Sequence, residues 1–394
     1  MTIEPAVRAQ ILASLDRLCR AAIAPRAAEI DATDEFPRDL YDAAARLGIF
    51  GLWIPEQYGG SGPDLVTPLL ISERIARESP SFSLIFSNCG DAVTPIVLAG
   101  NEHLKQEYLP GIAAGSLIPC FALSEPGAGS DAASITTRAV RRGGDYLVTG
   151  RKMWITNGSV GDIFTVFAKT DPEAGHRGVT ALVVPRGAPG FTIGRDEKLI
   201  GLHGSPTTEL IFEEVRVPAT HVLGDEGTGF KVAMATLDEA RLNCAAMALG
   251  AATAAVEAAV DYAKSRTQFG KPIIEHQGLQ FLLAELVAEI AAARALWEKA
   301  IAKLEHGKSR ESSVYAAMAK MVATDAAMRA TVEAVQVCGA TGLTRAQPLE
   351  RFMRDVKAFQ IFDGTNQIQR LLIGRHLMRE GLPLGAPEIP SGWL

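Results

Sequence analysis

The sequence contains no Cys-x-x-Cys pair, no apolar run of roughly twenty residues, no surplus of basic charge and no repeat of fixed period. Each absence closes off a class of function. Cys19, Cys89, Cys120, Cys244 and Cys338 are scattered and odd in number, which argues against a disulfide framework and a cysteine-built metal knuckle. They read instead as buried thiols in a reducing, cytoplasmic setting. The most apolar stretch, Cys244 to Val256, is rich in alanine and stops at Glu257, too short and too weakly hydrophobic to cross a bilayer. The opening Met-Thr-Ile-Glu-Pro lacks the basic segment and apolar run of a secretory signal. With 39 Lys and Arg against 45 Asp and Glu, the formal net charge is -6, so the chain offers no basic face to a nucleic-acid backbone. A small phosphate-bearing ligand needs only local cations and backbone N–H groups, and stays open.

What is present is a chain of 394 residues, long enough for two or three domains, with the 47% hydrophobic and 21% charged composition of a soluble globular protein. Residues 1 to 118 read as an N-terminal helical domain, in which Leu12, Leu15, Leu18 and Cys19 are spaced for one buried face of a first helix. Inside it, the glycines and Pro55 of the segment Gly48 to Gly62 force a loop that by itself reads as a surface turn. Between residues 119 and 228 the period becomes alternating. Tyr146 to Thr149, Ile163 to Ala168, Val179 to Val184 and Thr208 to Phe212 are β-rich runs divided by turn residues, which predicts a compact inserted β domain. From 229 to 394 the chain is helical again, with Leu279, Leu282, Leu283, Leu286 and Ile290 on one stripe and a Pro- and Gly-rich tail from Gly381 to Leu394. The fold class is mainly α with an inserted β domain.

Three stretches could carry chemistry. In Phe359 to Ile373 a helix is predicted to begin at or just after Gly364, which places the Asp363 carboxylate at its mouth. An Asp there is an ordinary helix cap. Flanked by Phe362 and by a glycine that lets backbone approach a ligand, the same acid becomes a candidate base with a raised pKa. The segment Phe121 to Asp131, reading Phe-Ala-Leu-Ser-Glu-Pro-Gly-Ala-Gly-Ser-Asp, is a loop able to donate backbone N–H groups. It is not the Gly-x-Gly-x-x-Gly dinucleotide fingerprint, and a plain turn accounts for it equally. Lys152 to Gly158 offers the Trp154 face and the Thr156 hydroxyl, although a lone Trp is also an ordinary core residue. Asp91, between Gly90 and the apolar Ile96 to Ala99, reads as a cap or a solvated acid.

Taken in order, these stretches resemble the acyl-CoA dehydrogenase family. So do Arg266 to Gly270 with His276-Gln277, Gln336 to Gly339 with Gly342, and Arg354-Asp355; the likeness runs from about residue 8 to 380. The resemblance implies an N-terminal helical domain, a middle β-barrel and a C-terminal four-helix bundle, with FAD as cofactor and an acyl-CoA thioester as substrate. By position it implies that Phe121, Leu123, Ser124, Trp154 and Thr156 line the flavin ring, and that Thr365 and Gln367 hold the phosphate and adenosine side. Arg266, Phe269, Gln277, Gln336 and Gly339 would serve the FAD of a neighbouring subunit, which implies a homotetramer built as a dimer of dimers. Ser130, Asp238, Arg241, Phe362 and Gly364 would border the pantetheine and acyl chain, and Asp91 would be a second acid in the acyl pocket. The implied reaction is α,β-dehydrogenation to the trans-2-enoyl thioester, with Asp363 as base and electrons leaving to an electron-transfer flavoprotein.

The chain also departs from the family pattern. Asp363 stands where the family usually has Glu, Phe362 where it has Tyr, and Ala340 where it has a second glycine. Some relatives carry the base at the position of Ala240, which has no acid here, and the neighbouring Glu239 is turned by about 100° around its helix. An Asp in place of the Glu also occurs in relatives that oxidise nitroalkanes or act on unusual acyl groups, including cyclic ones. Two other readings stay open: a flavin oxidase or monooxygenase of the nitroalkane-oxidase kind, and a non-catalytic protein that binds flavin or acyl-CoA.

Overall fold

A computed structural model describes residues 3–383. The tail expected from Gly381 to Leu394 lies outside the described residues from 384 onward.

The chain opens with helices α1 (Pro5–Leu18) and α2 (Ala24–Thr33), joined through a wide helical turn that buries Cys19 and Ile23. Then come α3 (Arg38–Ala45), α4 (Val66–Ala76), α5 (Pro80–Ala99) and α6 (Glu102–Ala113). Local chemistry sets the last two starts: Ser79 accepts from the Phe82 N–H at 3.2 Å, and Asn101 accepts from the Leu104 N–H at 3.0 Å. The Gly48 to Gly62 segment is not the surface turn expected of it, since Ile49, Phe50, Leu52, Trp53 and Ile54 are all buried. Trp53 presses against α5 so closely that a Cβ on Gly90 would lie 2.3 Å from its ring. Gly90 is therefore a packing glycine that lets α5 pass beside the indole and carries Asp91 with it.

The middle of the chain forms β1 (Pro119–Ala122), β2 (Arg138–Arg142), β3 (Asp145–Thr156), β4 (Ile163–Lys169), β5 (Val179–Pro185), β6 (Phe191–Asp196), β7 (Thr207–Pro218) and β8 (Val222–Leu223). They build one mixed sheet in the order β6-β7-β3-β2-β4-β5-β8, with β1 added parallel to β4. Cys120, Val148, Phe164, Val166, Leu182, Leu210 and Phe212 share one core, so the sheet curls over itself. The expected barrel does not close among the described residues: β6 and β8 are its two ends. A two-residue β8 and a largely exposed β6 are too short and too wet to form a closing ladder.

Beyond the sheet stand α7 (Gly229–Ser265), a small hairpin of β9 (Thr267–Gln268) and β10 (Lys271–Pro272), α8 (Gln277–Glu305), α9 (Arg310–Cys338), α10 (Leu349–Phe359) and α11 (Asn366–Glu380). The three long helices pack through alanines such as Ala245, Ala248, Ala252, Ala319, Ala323 and Ala327, whose small side chains let the backbones come close. Helices α10 and α11 complete the bundle on α9. The stripe read on α8 faces this core, with Leu283 and Leu286 buried and Leu279, Leu282 and Ile290 packed at its margin. Helices α5 and α7 are long and apolar enough to span a bilayer, but 78% and 72% of their most apolar windows are buried in the protein. They are core helices.

Candidate active site

Asp363 occupies the bend between α10 and α11. Its backbone is left-handed, φ 53°, and that of Gly364 follows at φ 84°. Asp is among the few residues with a side chain that enter this region readily, and Gly does so without strain. The bend is held from three sides. Buried Lys320 on α9 donates to the Gly364 carbonyl and to Asn366 Oδ1, both at 3.0 Å. Gln369 Nε2 donates to the carbonyls of Asp363, at 3.1 Å, and Gly364, at 2.7 Å, while the Cys244 thiol on α7 reaches the Phe359 carbonyl. Capping is the task of Thr365 and not of Asp363: the Thr365 hydroxyl accepts the Ile368 N–H. The Asp363 carboxylate is left without a hydrogen bond or ion pair among the described residues, and so is its backbone N–H.

The bend brings several of the expected site residues together. Burial pushes the Asp363 carboxyl up, the Lys320 and Arg241 cations pull it back, and the balance lies at about 6. Asp91 is neither a cap nor a solvated acid. It sits in the interior of α5, surrounded by protein although water still reaches its edge. Burial first, then the charges of Asp363 and Glu239, hold it well above the usual carboxylate range, against a hydrogen bond from Asn243. The two acids interact, and the charge of Asp363 is one of the causes that favour the protonated form of Asp91. Glu239, expected to face elsewhere, lies near enough to act on Asp91 while its carboxylate pairs with Lys308 at 2.8 Å.

Asp238, expected to border the pantetheine and acyl chain, is held within the bundle. It is buried, pairs with Arg241 at 2.6 Å and accepts from the Ser313 hydroxyl at 2.6 Å, so its oxygens are occupied within the bundle. Arg241 itself is buried with its Nε unpartnered, an unusual state for a guanidinium. Phe362 packs edge to face on Phe359, with ring centroids 5.5 Å apart, and covers one side of the bend.

A second group of expected residues lies along the edge of the sheet. The β3–β7 register slips between Lys152 and Ile155, and in this bulge Trp154 takes φ 64°. A bulge with a left-handed residue throws the side chain off the sheet, and Trp154 is 51% exposed, not a core residue. The Met153 N–H bonds to the Ser124 carbonyl at 2.9 Å, which sets the Ser124 to Ser130 loop beside the bulge. Phe121, Ser124 and Thr156 are half-buried there and Ser130 is exposed. Asn88, one helical turn before Asp91, reaches the Thr156 carbonyl and so ties this edge to the acid-bearing helix. Leu123 departs from expectation: its side chain is buried in the helical-domain core, and its carbonyl accepts from Lys152.

Thr365 and Gln367 line a recess of about 480 Å³ together with Lys357, Gln360, Ile361 and Arg370. Arg266, Phe269, Gln277, Gln336 and Gly339 are elsewhere, all exposed on the bundle surface. Phe269 stands at the hairpin tip with 94% of its surface in solvent, its ring edge-on to His276. The donor set fits a flavin dinucleotide. An outward-facing indole and neighbouring loop can receive an aromatic ring system, the recess offers the Lys357 cation and polar side chains, its Arg370 being paired with Asp325 at 2.8 Å, and the hairpin carries Phe269 into solvent.

The residues that fix this arrangement were not among those singled out from sequence. Lys320 interrupts the Ala-Ala-Met-Ala-Lys-Met-Val-Ala run of α9, and a lone Lys on an apolar helix face is the signal that points to it. Asn243, Gln369 and the Glu125–Lys152 pair carry no comparable mark. Lys152 Nζ donates to Glu125 at 2.8 Å inside the protein, and Glu125 also takes the N–H groups of Thr136 and Thr137 at 2.6 and 3.0 Å. Burial would raise the Glu125 carboxyl, but Lys152 and these donors prevail and hold it at about 2.

Comparison with known proteins covers nearly the whole chain. Family models described as the acyl-CoA dehydrogenase N-terminal, middle and C-terminal domains match residues 7–116, 120–215 and 227–378. The chain is 45% identical over 360 residues to an acyl-CoA dehydrogenase of Bacillus subtilis, covering 91% of this chain and 94% of that one. It is 43% identical over 357 residues to the cyclohex-1-ene-1-carbonyl-CoA dehydrogenase of Geobacter metallireducens, covering 90% and 94%. Among solved structures, butyryl-CoA dehydrogenase from Megasphaera elsdenii superposes with a TM-score of 0.92 at 40% identity, covering 96% of this chain and all of that one.

Proposed function

The chain belongs to the acyl-CoA dehydrogenase family, and on that premise we propose that it is an FAD-dependent dehydrogenase for compact, ring-containing acyl-CoA thioesters, with Asp363 as the base. The observation that carries the reading is the Asp363 carboxylate, held on a left-handed bend fixed by Lys320 and Gln369 with no hydrogen bond or ion pair of its own among the described residues, and near enough to a second acid, Asp91, for the two charges to interact.

The α-hydrogen of a thioester is only weakly acidic, so its removal needs a positioned base and a donor for the oxygen that gains charge. Asp363 is ionised above about pH 6 and not consumed by capping. Its own unengaged N–H is available to the thioester oxygen, and Lys320 and Gln369 fix the bend so that both groups of one residue are presented together. Bound FAD would supply the hydride acceptor, held by Ser124, Trp154 and Thr156 on the sheet side and by Thr365 and Gln367 at the recess. Arg266, Phe269, Gln277, Gln336 and Gly339 would complete the FAD site of a neighbouring subunit in a homotetramer. An electron-transfer flavoprotein would collect the electrons.

The substrate class follows from the shorter base. Asp ends one C–C bond earlier than Glu, roughly 1.5 Å, and misplacement by about 1 Å can lower a rate on the order of 10²-fold. A ring brings its carbons nearer the bend than an extended chain does, and Asp91 stands beside them as the second acid. The relative named for a cyclohexene carbonyl substrate supports this class.

The test is anaerobic mixing of the purified flavoprotein with straight, branched, aromatic and cyclic acyl-CoAs. Bleaching of the flavin absorbance that is fastest with cyclic thioesters is expected, reduced about 10²- to 10⁴-fold in Asp363→Asn. Equal rates on straight chains, together with unchanged turnover in Asp91→Asn, would remove the substrate assignment. A spectral shift without bleaching by any thioester would favour a binding protein, and rapid oxygen consumption without an added acceptor would favour an oxidase.

A further inference from the structure

Helix α6 carries His103 and Glu107 one turn apart, so both lie on one face, and the turn between β7 and β8 brings His221 against that face. A ring nitrogen of each histidine and a carboxylate oxygen of Glu107 all lie within 4.8 Å of one another. His103 Nε2 and Glu107 Oε2 are 3.3 Å apart. Ligand atoms on a tetrahedral zinc ion, with bonds of about 2.0 to 2.2 Å, are roughly 3.3 to 3.6 Å from each other. One edge of such a tetrahedron is thus already formed. The other two close by small rotations of His103 and Glu107, which are 66% and 42% exposed and free to turn.

The third ligand is the pre-set one. His221 Nδ1 lies 3.0 Å from the Val183 carbonyl, an acceptor, so Nδ1 carries the proton and Nε2 keeps its lone pair. A backbone carbonyl on the far nitrogen is the usual means of orienting a metal-bound imidazole. Tyr108, buried next to Glu107, packs edge-on to the His221 ring with centroids 6.3 Å apart. All five cysteines are buried, so no exposed thiol competes for a soft cation.

We propose that His103, Glu107 and His221 form a surface site for a divalent transition metal of the zinc class, with its fourth position open to water. Two ligands come from the helical domain and one from the sheet domain, so the ion would fasten the two together where Asn101 already donates to the Thr220 carbonyl at 2.7 Å. The site is independent of the acyl cleft and of the reaction proposed there.

The experiment is calorimetric titration of zinc chloride into the tag-free holoenzyme after chelator treatment and dialysis, with thermal unfolding in parallel. One zinc per chain is expected, with affinity falling at least roughly 10-fold in His103→Gln, in Glu107→Gln and in His221→Gln. Zinc should raise the Tm of the parent protein and leave that of the His103→Gln/Glu107→Gln double variant in place. Zinc-free dehydrogenase activity of that double variant should equal the parent's, which separates loss of a site from loss of fold. Zinc uptake by the double variant as tight as the parent's, or no uptake by the parent at about 0.1 mM zinc, a concentration far above the affinity expected of three preset ligands, would overturn the proposal.

Discussion

Asp363 is an acid whose neighbours act on it in opposite directions. Burial favours its protonated form, and Lys320 and Arg241 favour the carboxylate. Because the base must be ionised to work, kcat/KM should rise with pH to a plateau with a midpoint near 6. Lys320→Gln keeps a donor for the Gly364 carbonyl but removes a cation that lowers the carboxyl, so the midpoint should move to higher pH. A pH profile of the two proteins checks this, and an unmoved midpoint would mean that Lys320 positions the bend without tuning the acid. Asp355 lets the stability side be tested away from the chemistry. It is fully buried at the base of the interdomain clamp, accepts the Leu202 N–H at 2.5 Å, and is pushed by burial from 3.8 to about 6. A carboxyl with a raised folded pKa contributes stability that is whole below its unfolded value and is lost as pH rises through the folded one. Asp355→Asn, whose amide oxygen can still accept from Leu202, should therefore unfold at higher urea than the parent above pH 6. The expected gain is on the order of 2 kcal/mol, shrinking toward pH 4.

At the scale of elements, the Ser124 to Ser130 loop depends on a buried ion pair with its base. Removing one partner of such a pair leaves an uncompensated charge and costs about 3 to 5 kcal/mol, whereas replacing both is far milder. Glu125→Gln and Lys152→Met should each destabilise the protein and loosen its flavin, and the double variant should recover much of the stability in urea unfolding. Additive losses would show that Glu125 acts through Thr136 and Thr137 alone. These elements also show what could be read beforehand. The change from helical to alternating period at residue 119, and the return at 229, coincide with β1 and α7, because burial on one face imposes a period that side chains record directly. That the sheet stays open between β6 and β8 among the described residues left no such record, since it depends on how long the edge strands stay paired. The Gly48 to Gly62 segment read as a turn from its glycines, but Gly60 is small because the Ile54 backbone presses on it within the folded segment, and Gly90 because Trp53 presses on it from distant sequence. Asp363 and Trp154 were visible within their motifs. Asn243 was not, because it acts across a packing interface that sequence spacing does not encode; Lys320 left only the mark of a lone Lys on an apolar face, and Gln369 folds back on the carbonyls of Asp363 and Gly364 in its own segment, a local contact its residue type does not announce.

The whole molecule is joined where three parts meet. Arg354 on α10 grips Asp31 on α2 through two hydrogen bonds of 2.8 and 2.7 Å, and His203 from the sheet domain bonds the Asp31 carbonyl at 2.8 Å. This junction ties α10, which leads into the acid-bearing bend, to α2 and to the segment before β7. In the proposed assembly the exposed hairpin, with Phe269 94% in solvent, completes the FAD site of a neighbouring subunit. Arg266→Gln should weaken FAD retention without altering the pH midpoint of the remaining activity. Mixed tetramers of Arg266→Gln and Asp363→Asn chains should regain activity, since in a mixed pair both lesions fall in one site and leave the other whole, and mixing that restores nothing would place Arg266 outside the neighbour's cofactor site. The central claim, that Asp363 removes the substrate's α-hydrogen, is tested most directly by exchange. Cyclohexanecarbonyl-CoA incubated anaerobically with the enzyme in deuterated water should take deuterium at its α-carbon. The account predicts that Asp363→Asn abolishes this incorporation while thioester binding persists; incorporation at the parent rate in that variant would contradict it.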